Sequence, residues 1–387
     1  MVIGAGVLGA SVAARLAGAG WRVTLLDQDQ PGHGTSRWSF AWVNSNDKGP
    51  RPYHDLNHAG IRAWADSAPG LDGAAWYRPV GHVELATDTS ELAARVERLT
   101  SWGYPARPID AAEAAELEPA LLPPDEQATA AWFPEEAYLL TEPLIARLVA
   151  HLTSRGGTVL TGDQGRVTAL DLGPGDTPRL RTAAGTVTEA DQVVCCAGRW
   201  TPGLAALAGA AGTVPLVAWD TPGSSAPALT VRVGPRGPAG PVRVIHTPQL
   251  ALRPHSGGLL HLEAPDTPVD LHTPETEVHR LAGELLDRAR RTVRGLDEAR
   301  VVAAQVCVRP LPADEQSIVG RLPGAEWLYV AVTHSGVTLA AHLSRLIAAD
   351  LAAGADLASG APDAGLAAYR PDRFAGTDTT FPGGDRP

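Results

Sequence analysis

Three glycines at the head of the chain have the spacing of a phosphate-binding turn. Gly4, Gly6 and Gly9 form a G-x-G-x-x-G pattern, after the apolar pair Val2-Ile3 and before the alanine-rich, helix-forming stretch Ala10 to Ala19. In such a strand–turn–helix unit the first glycine permits the tight turn and the second brings the main chain against a pyrophosphate. The third lets helix and strand pack closely, with Val7 and Leu8 opening the helix. The run from Trp21 to Leu26 then ends at Asp27-Gln28, about where an acid would hold a ribose hydroxyl. The complete unit predicts a dinucleotide site. Other chemistry is sparse. The cysteines are Cys195, Cys196 and Cys307; the adjacent pair would point to opposite faces of a strand, and no zinc-like spacing exists. No metal site or disulfide framework is expected. Lys48 is the only lysine, so lysine-based chemistry must use it or not occur.

The elements that must position these residues belong to a chain of 387 residues, long enough for two or three domains. A net charge of -11 excludes a broad nucleic-acid footprint. No window reads as apolar for long enough to span a bilayer, and the first strand begins almost at once, so the expectation is a cytoplasmic protein. After Asp27 a polar turn runs to Gly34, and Thr35 to Asn44 mixes small hydroxyl residues with Trp38, Phe40 and Trp42, the composition of a loop wrapping a flat ligand or burying its own aromatics. Periodicity predicts helices over 53–65, 90–103, 110–118, 276–292 and 337–353, a further helix after Tyr138 with Pro143 near its first turn, and strands over 80–86 and 128–133. Strands over 158–160, 165–170, 179–183 and 185–187 read as a meander, closed by the buried run Ala190 to Gly198. Residues 215–264 alternate strands with Pro/Gly loops, as in an antiparallel sheet, and 299–309 and 326–332 are further strands. The nucleotide unit is thus interrupted twice and completed near the C-terminus. A nicotinamide domain is usually contiguous, so this layout points to FAD.

Four stretches, Gly4 to Asp27, Gly34-Thr-Ser36, Asp191 to Trp200 and Arg309 to Gly336, give the chain a resemblance to the D-amino-acid oxidase superfamily of FAD-dependent oxidoreductases, on its glycine oxidase and sarcosine oxidase branch. The resemblance implies an α/β FAD-binding Rossmann-type domain built from residues 1–78, 138–214 and 310–370. It implies an α+β substrate domain from 79–137 and 215–309, whose antiparallel sheet covers the flavin, and it leaves 371–387 as a disordered tail. By motif position, Gly4, Gly6, Val7, Leu8 and Gly9 would line the pyrophosphate, and Asp27 with Gln28 the adenosine ribose. Gly34, Thr35, Ser36 and Arg37 would lie at phosphate, Val167 at adenine, and Ala197, Gly198 and Trp200 on the ribityl side. His334, Ser335, Gly336, Val337 and Thr338 would bring the last helix N-terminus to the flavin O2 edge, where reduced flavin carries negative charge.

On the substrate side Arg309 occupies the place of the glycine oxidase arginine that clamps a carboxylate, a task suited to a planar, permanently charged guanidinium. The competing reading pairs it with Asp314 or another local acid. Cys307 aligns with the cysteine that carries the flavin in monomeric sarcosine oxidases, and is otherwise a small buried thiol. Departures from the family include Phe40 near the place of a second clamp arginine, Ala251 at a tyrosine position followed by Leu-Arg253-Pro, and no lysine matching the one beside the sarcosine oxidase flavin. Asn44, Trp42, Trp219, Ala251 and Arg253 are candidate pocket walls, and His246 and His334 candidate proton carriers. The expectation is an FAD-dependent oxidase of an N-substituted glycine, giving glyoxylate and an amine, with O2 as the expected acceptor and a rate that rises with pH as the amine deprotonates. The alternatives are a flavin-dependent D-amino-acid or 2-hydroxy-acid dehydrogenase with another acceptor, or a flavin-holding subunit of a hetero-oligomer.

Overall fold

A computed structural model describes residues 1–123, 129–354 and 365–375. Two large sheets dominate it. The first has six strands in the order Ile318–Leu322, Ala325–Val332, Val193–Cys195, Val2–Ile3, Thr24–Leu26, Thr158–Leu160. All its pairings are parallel except the first, a hairpin. Its central strands are buried on both faces because successive side chains alternate and each side is covered, whereas the edge strand Thr158–Leu160 is partly exposed. Val2, Leu25, Val194 and Tyr329 pack beneath a helical layer that includes Val7–Gly18, Arg51–Ser67, Thr141–Ser154 and Gly336–Gly354. Ile3, Leu26, Cys195 and Val330 face the opposite side, among Leu170, Leu180 and Ala205.

The small antiparallel sheet on that side comprises Val167–Leu172, Pro178–Thr182 and Val187–Glu189. The expected meander therefore loses its first strand, because Thr158–Leu160 pairs with Thr24–Leu26 instead. Local periodicity could not distinguish the two, since both need only a short apolar run. The aromatic stretch expected as a loop contains a short helix, Thr35–Trp38, and a strand, Trp42–Val43, which joins Ala137–Leu139 and Tyr77–Arg78 in a small sheet.

The second large sheet has eight strands, in the order Arg300–Val308, Pro227–Gly234, Leu259–Glu263, Ala251–His255, Val244–His246, His82–Ala86, Thr129–Phe133, Arg107–Ile109. It is antiparallel throughout except where Val244–His246 runs parallel to His82–Ala86. Helix Glu275–Thr292 covers its outer face. Glu275 and Glu277 in the first turn and Arg290 and Arg291 in the last suit the helix dipole. The helix buries Val278, Leu281, Leu285 and Leu286 against Leu229, Val231, Leu260 and Leu262. Residues 82–133 and 227–308 supply this sheet, whereas the parallel sheet draws on 2–26, 158–160, 193–195 and 318–332.

Two expectations need correction. Residues Pro371–Phe374 of the supposed disordered tail form a 3-10 turn that buries Phe374, and Arg373 holds Asp314 at 2.8 Å; positions 376–387 lie outside the described residues. Gly336–Gly354 is long and apolar enough by composition to cross a membrane, contrary to the reading that no such window exists. Here it packs as a core helix against Val7–Gly18 and Arg51–Ser67, with Leu339, Leu343 and Ile347 fully buried.

Candidate functional site: a dinucleotide cleft beneath the eight-stranded sheet

The turn after Val2–Ile3 closes on itself as tightly as its glycines require. Gly4 has φ +99°, and a Cβ there would lie 2.5 Å from the Cys196 carbonyl oxygen. A Cβ on Gly9 would stand 1.8 Å from the Gly4 carbonyl oxygen, so helix and strand approach to a distance only glycine permits. Asp27 ends the second strand and accepts from the Ala5 N–H at 2.6 Å and the Asp29 N–H at 2.9 Å. Burial raises its carboxyl pKa, and these two N–H groups offset part of that rise. Ser36 accepts from the Val7 N–H at 2.9 Å, and Thr141 donates to the Ser36 carbonyl at 2.8 Å, tying the short helix Thr35–Trp38 over the glycine turn.

A cleft of about 750 Å³ runs from this turn beneath the edge of the eight-stranded sheet. Of the residues expected at the cofactor, Gly4, Gly6, Val7, Leu8, Asp27, Gln28, Gly34, Thr35, Ser36, Val167, Ala197, Gly198, Trp200, Cys307, His334, Gly336 and Val337 line it. Segments some three hundred residues apart in sequence thus share one wall. Four expected cofactor residues do not line it. Gly9 is sealed behind Gly4. Arg37 turns outward to Glu142, 3.2 Å away. Ser335 accepts from the Tyr53 hydroxyl at 3.1 Å, and Thr338 lies 3.3 Å from both the Trp42 carbonyl and the Asn44 N–H, so both brace the start of the last helix. Arg199 was not anticipated. It lines the cleft with its guanidinium 4.1 Å from the Trp200 ring centre and its buried Nε without a partner among the described residues.

The expected substrate residues divide differently. Arg309 follows strand Arg300–Val308, between cleft residues Val308 and Pro310, and its guanidinium donates to the main-chain carbonyls of Ser225 and Ala226. The acid beside it in sequence, Asp314, is bound instead by Arg373. Arg253, expected as a pocket wall, is only 1% exposed. Its guanidinium donates to the carbonyls of Phe40 and Pro254 and approaches His261, which staples the sheet to the aromatic loop. Trp219 sits beside Arg199, 5.4 Å from its guanidinium. Asn44 is buried, with Oδ1 unpartnered among the described residues.

A buried hub that sequence reasoning missed organises the rest. Glu136, fully buried, accepts from Trp42 Nε1 at 2.8 Å and the Tyr104 hydroxyl at 2.7 Å, and lies 3.1 Å from His82 Nδ1. His82 Nε2 in turn lies 2.9 Å from His246 Nδ1, and His246 packs on Trp42 with ring centres 4.2 Å apart. Burial holds the His246 pKa well below its ordinary value, so the ring is neutral. Nothing local in the Phe-Pro-Glu-Glu segment marks Glu136 as a hub; its side-chain partners come from three separate stretches.

The family model described as FAD dependent oxidoreductase (DAO) matches residues 1–350, and the chain belongs to that family. It is 25% identical over 372 residues to the glycine oxidase of Geobacillus kaustophilus, covering 90% of this chain and 91% of that protein. A shorter match, 34% identical over 110 residues, is to the uncharacterized oxidoreductase YurR of Bacillus subtilis. Another, 30% identical over 170 residues, is to a tRNA 5-methylaminomethyl-2-thiouridine biosynthesis bifunctional protein of Cupriavidus necator. These two alignments span only 28% and 25% of the relatives' own lengths. Among solved structures, an iminodiacetate oxidase from Chelativorans sp. BNC1 shares the fold with a TM-score of 0.75 at 23% identity, covering 96% of this chain and 98% of that one. The Geobacillus kaustophilus glycine oxidase structure gives 0.77 at 24% identity, covering 95% and 96%.

The cofactor of the family is FAD, and the residues present fit it. A turn that admits no Cβ at Gly4 or Gly9, an acid following the second strand and a wall arginine whose Nε has no partner among the described residues are what an extended dinucleotide needs. The cleft volume lies within the range of cofactor pockets.

Proposed function

We propose that this FAD-dependent oxidoreductase oxidises the C–N bond of an N-substituted glycine, releasing glyoxylate and an amine, with O2 as the electron acceptor. The observation that carries the reading is Arg309: a guanidinium at the end of the strand whose Gln305, Cys307 and Val308 line the cofactor cleft. Two main-chain carbonyls fix its plane beside the cleft, between lining residues Val308 and Pro310, an orientation that would suit a carboxylate clamp. The likeness to a glycine oxidase over most of both chains supports an amine substrate. Ala251, small where glycine oxidases carry a tyrosine, favours a substrate bulkier than glycine.

Bound FAD supplies a hydride acceptor at N5. The chain's own residues orient and shield. Arg309 holds the carboxylate, which fixes the α-carbon relative to the cleft, and the eight-stranded sheet excludes water from above. The reacting amine must be unprotonated, so flavin reduction rises with pH. Anaerobic bleaching of the 450-nm flavin band by sarcosine, N-ethylglycine, glycine and D-alanine tests the reading. Faster bleaching by the N-alkylglycines is expected. Equal or faster bleaching by glycine sinks the N-substituted assignment, and absence of hydrogen peroxide in air sinks the oxidase one.

A further inference from the structure

One row of directly paired residues crosses the inner face of the eight-stranded sheet. Gln305 stands opposite Thr230, Thr230 opposite Glu263, Glu263 opposite Ala251, and Ala251 opposite His246. Directly opposed residues project to the same side of a sheet. Gln305 lines the cleft, while the alternate residues Leu260 and Leu262 pack towards the outer helix, so the row faces the cofactor side.

A carboxylate stands in the middle of that row. Glu263 is partly accessible and makes no hydrogen bond or ion pair with the described residues. Burial raises its pKa, and the charges of Arg309 and Arg253 offset only part of that rise. Arg253 cannot turn towards it, because its donors serve Phe40, Pro254 and His261. The other titratable groups on this face include Cys307, whose thiol is pushed up to about 12 by burial and then by Glu263, and His246, His255 and His261, all kept neutral by burial. Arg232, which donates to the Arg37 carbonyl, His82, which lies against His246, and Glu84, which pairs with Arg95, stand on the same face. His334 lines the nucleotide side of the cleft. None of these donates to the Glu263 carboxylate. A largely desolvated carboxylate with no donor among the described residues is costly to keep ionised, and a cationic ligand group would supply what is missing.

The geometry points to Glu263 as the residue that recognises the positive charge of the substrate amine. Arg309 and Glu263 then read the two ends of one zwitterion, and plain carboxylates of the same shape are rejected. The inference rests on Arg309 acting as the carboxylate clamp.

Two unreactive isosteres isolate the charge: trimethylglycine and 3,3-dimethylbutanoate differ only in a quaternary nitrogen replacing a carbon. Their binding to the FAD-loaded full chain is read from perturbation of the flavin absorbance. Trimethylglycine should bind at least about tenfold tighter, the scale of one partly desolvated charge contact. In Glu263→Gln the ratio should collapse to within about threefold, and in Glu263→Asp the preference should persist. In the unmutated protein the preference should also vanish as pH falls through the raised Glu263 pKa, a measurement that needs no variant to fold. Equal binding of the two isosteres, or a preference that survives Glu263→Gln, overturns the inference while leaving the Arg309 reading intact if Arg309→Gln weakens both ligands. If neither isostere binds, or Arg309→Gln changes neither affinity, the carboxylate reading falls and this one with it.

Discussion

The glycine-turn wall of the cleft and the buried polar cluster under the eight-stranded sheet are built on opposite principles. At the glycine turn, close main-chain approach sets the shape: the turn admits no Cβ at Gly4 or Gly9, and the Asp27 carboxylate is held by two N–H groups. Beneath the eight-stranded sheet, side chains from distant strands are packed into mutual dependence. Arg253 pins Phe40, Glu136 gathers Trp42, Tyr104 and His82, and His82 orients His246. A main-chain site is specified by what is absent from a few positions. A side-chain site is specified by what arrives from many, and for that reason it can change substrate without disturbing the cofactor.

The contrast predicts where damage is severe and where it is selective. Gly9→Ala places a methyl group inside the Gly4 carbonyl and must open the turn. Overpacking against rigid backbone costs several kcal/mol, so the variant should purify without yellow colour and melt well below the parent. A yellow, fully stable Gly9→Ala would end the claim that this wall is built from backbone. Arg309→Gln should behave in the opposite way, keeping FAD absorbance and melting temperature. Removing a charged partner of a carboxylate costs about 2–5 kcal/mol. The expected loss in kcat/KM is therefore about 30- to 5,000-fold, read by steady-state oxidation of sarcosine.

Legibility followed the same division. The cradle could be read directly because its determinants lie within Gly4 to Asp27, and because glycine has few other reasons to recur at that spacing. The last strand and helix, from Ala325 to Gly354, were visible for a related reason: a buried parallel strand is a continuous apolar run. Arg309 was legible as a position but not as a geometry, since nothing local foretold the carbonyls of Ser225 and Ala226. Glu136, His82 and Glu263 were passed over entirely. Each is an ordinary residue in an ordinary strand or turn, and its role comes from register with strands up to 164 residues away. Arg253 shows the converse error: an arginine beside a proline looked like pocket chemistry and is a fully buried staple.

Glu136→Gln probes the middle of the range. The carboxylate accepts from an indole N–H and a phenol, and a glutamine in its place turns one acceptor into a donor facing donors. One buried unsatisfied pair costs about 1–3 kcal/mol. The variant should lose that much in urea unfolding, bind FAD normally, and show altered substrate affinity as Trp42 and His246 shift. Weakened FAD binding with unchanged substrate affinity would mean that the two regions are not separable in this way.

The smallest effect is expected at Cys307, where the edge strand of the eight-stranded sheet reaches the cleft. Its thiol lines the cleft and lies 3.7 Å from the Thr35 carbonyl oxygen. Burial, reinforced by Glu263, pushes its pKa up to about 12, against the opposing charges of Arg199 and Arg309. A covalent bond to the flavin requires the thiolate, which at neutral pH amounts to about one part in 10⁵. The flavin should therefore dissociate when the protein is precipitated with acid, leaving a colourless pellet. Cys307→Ala removes only a weak contact, so FAD affinity should change by less than about threefold. A pellet that stays yellow in the parent protein and turns colourless in Cys307→Ala would show that this residue belongs to the cofactor's chemistry as well as to its packing.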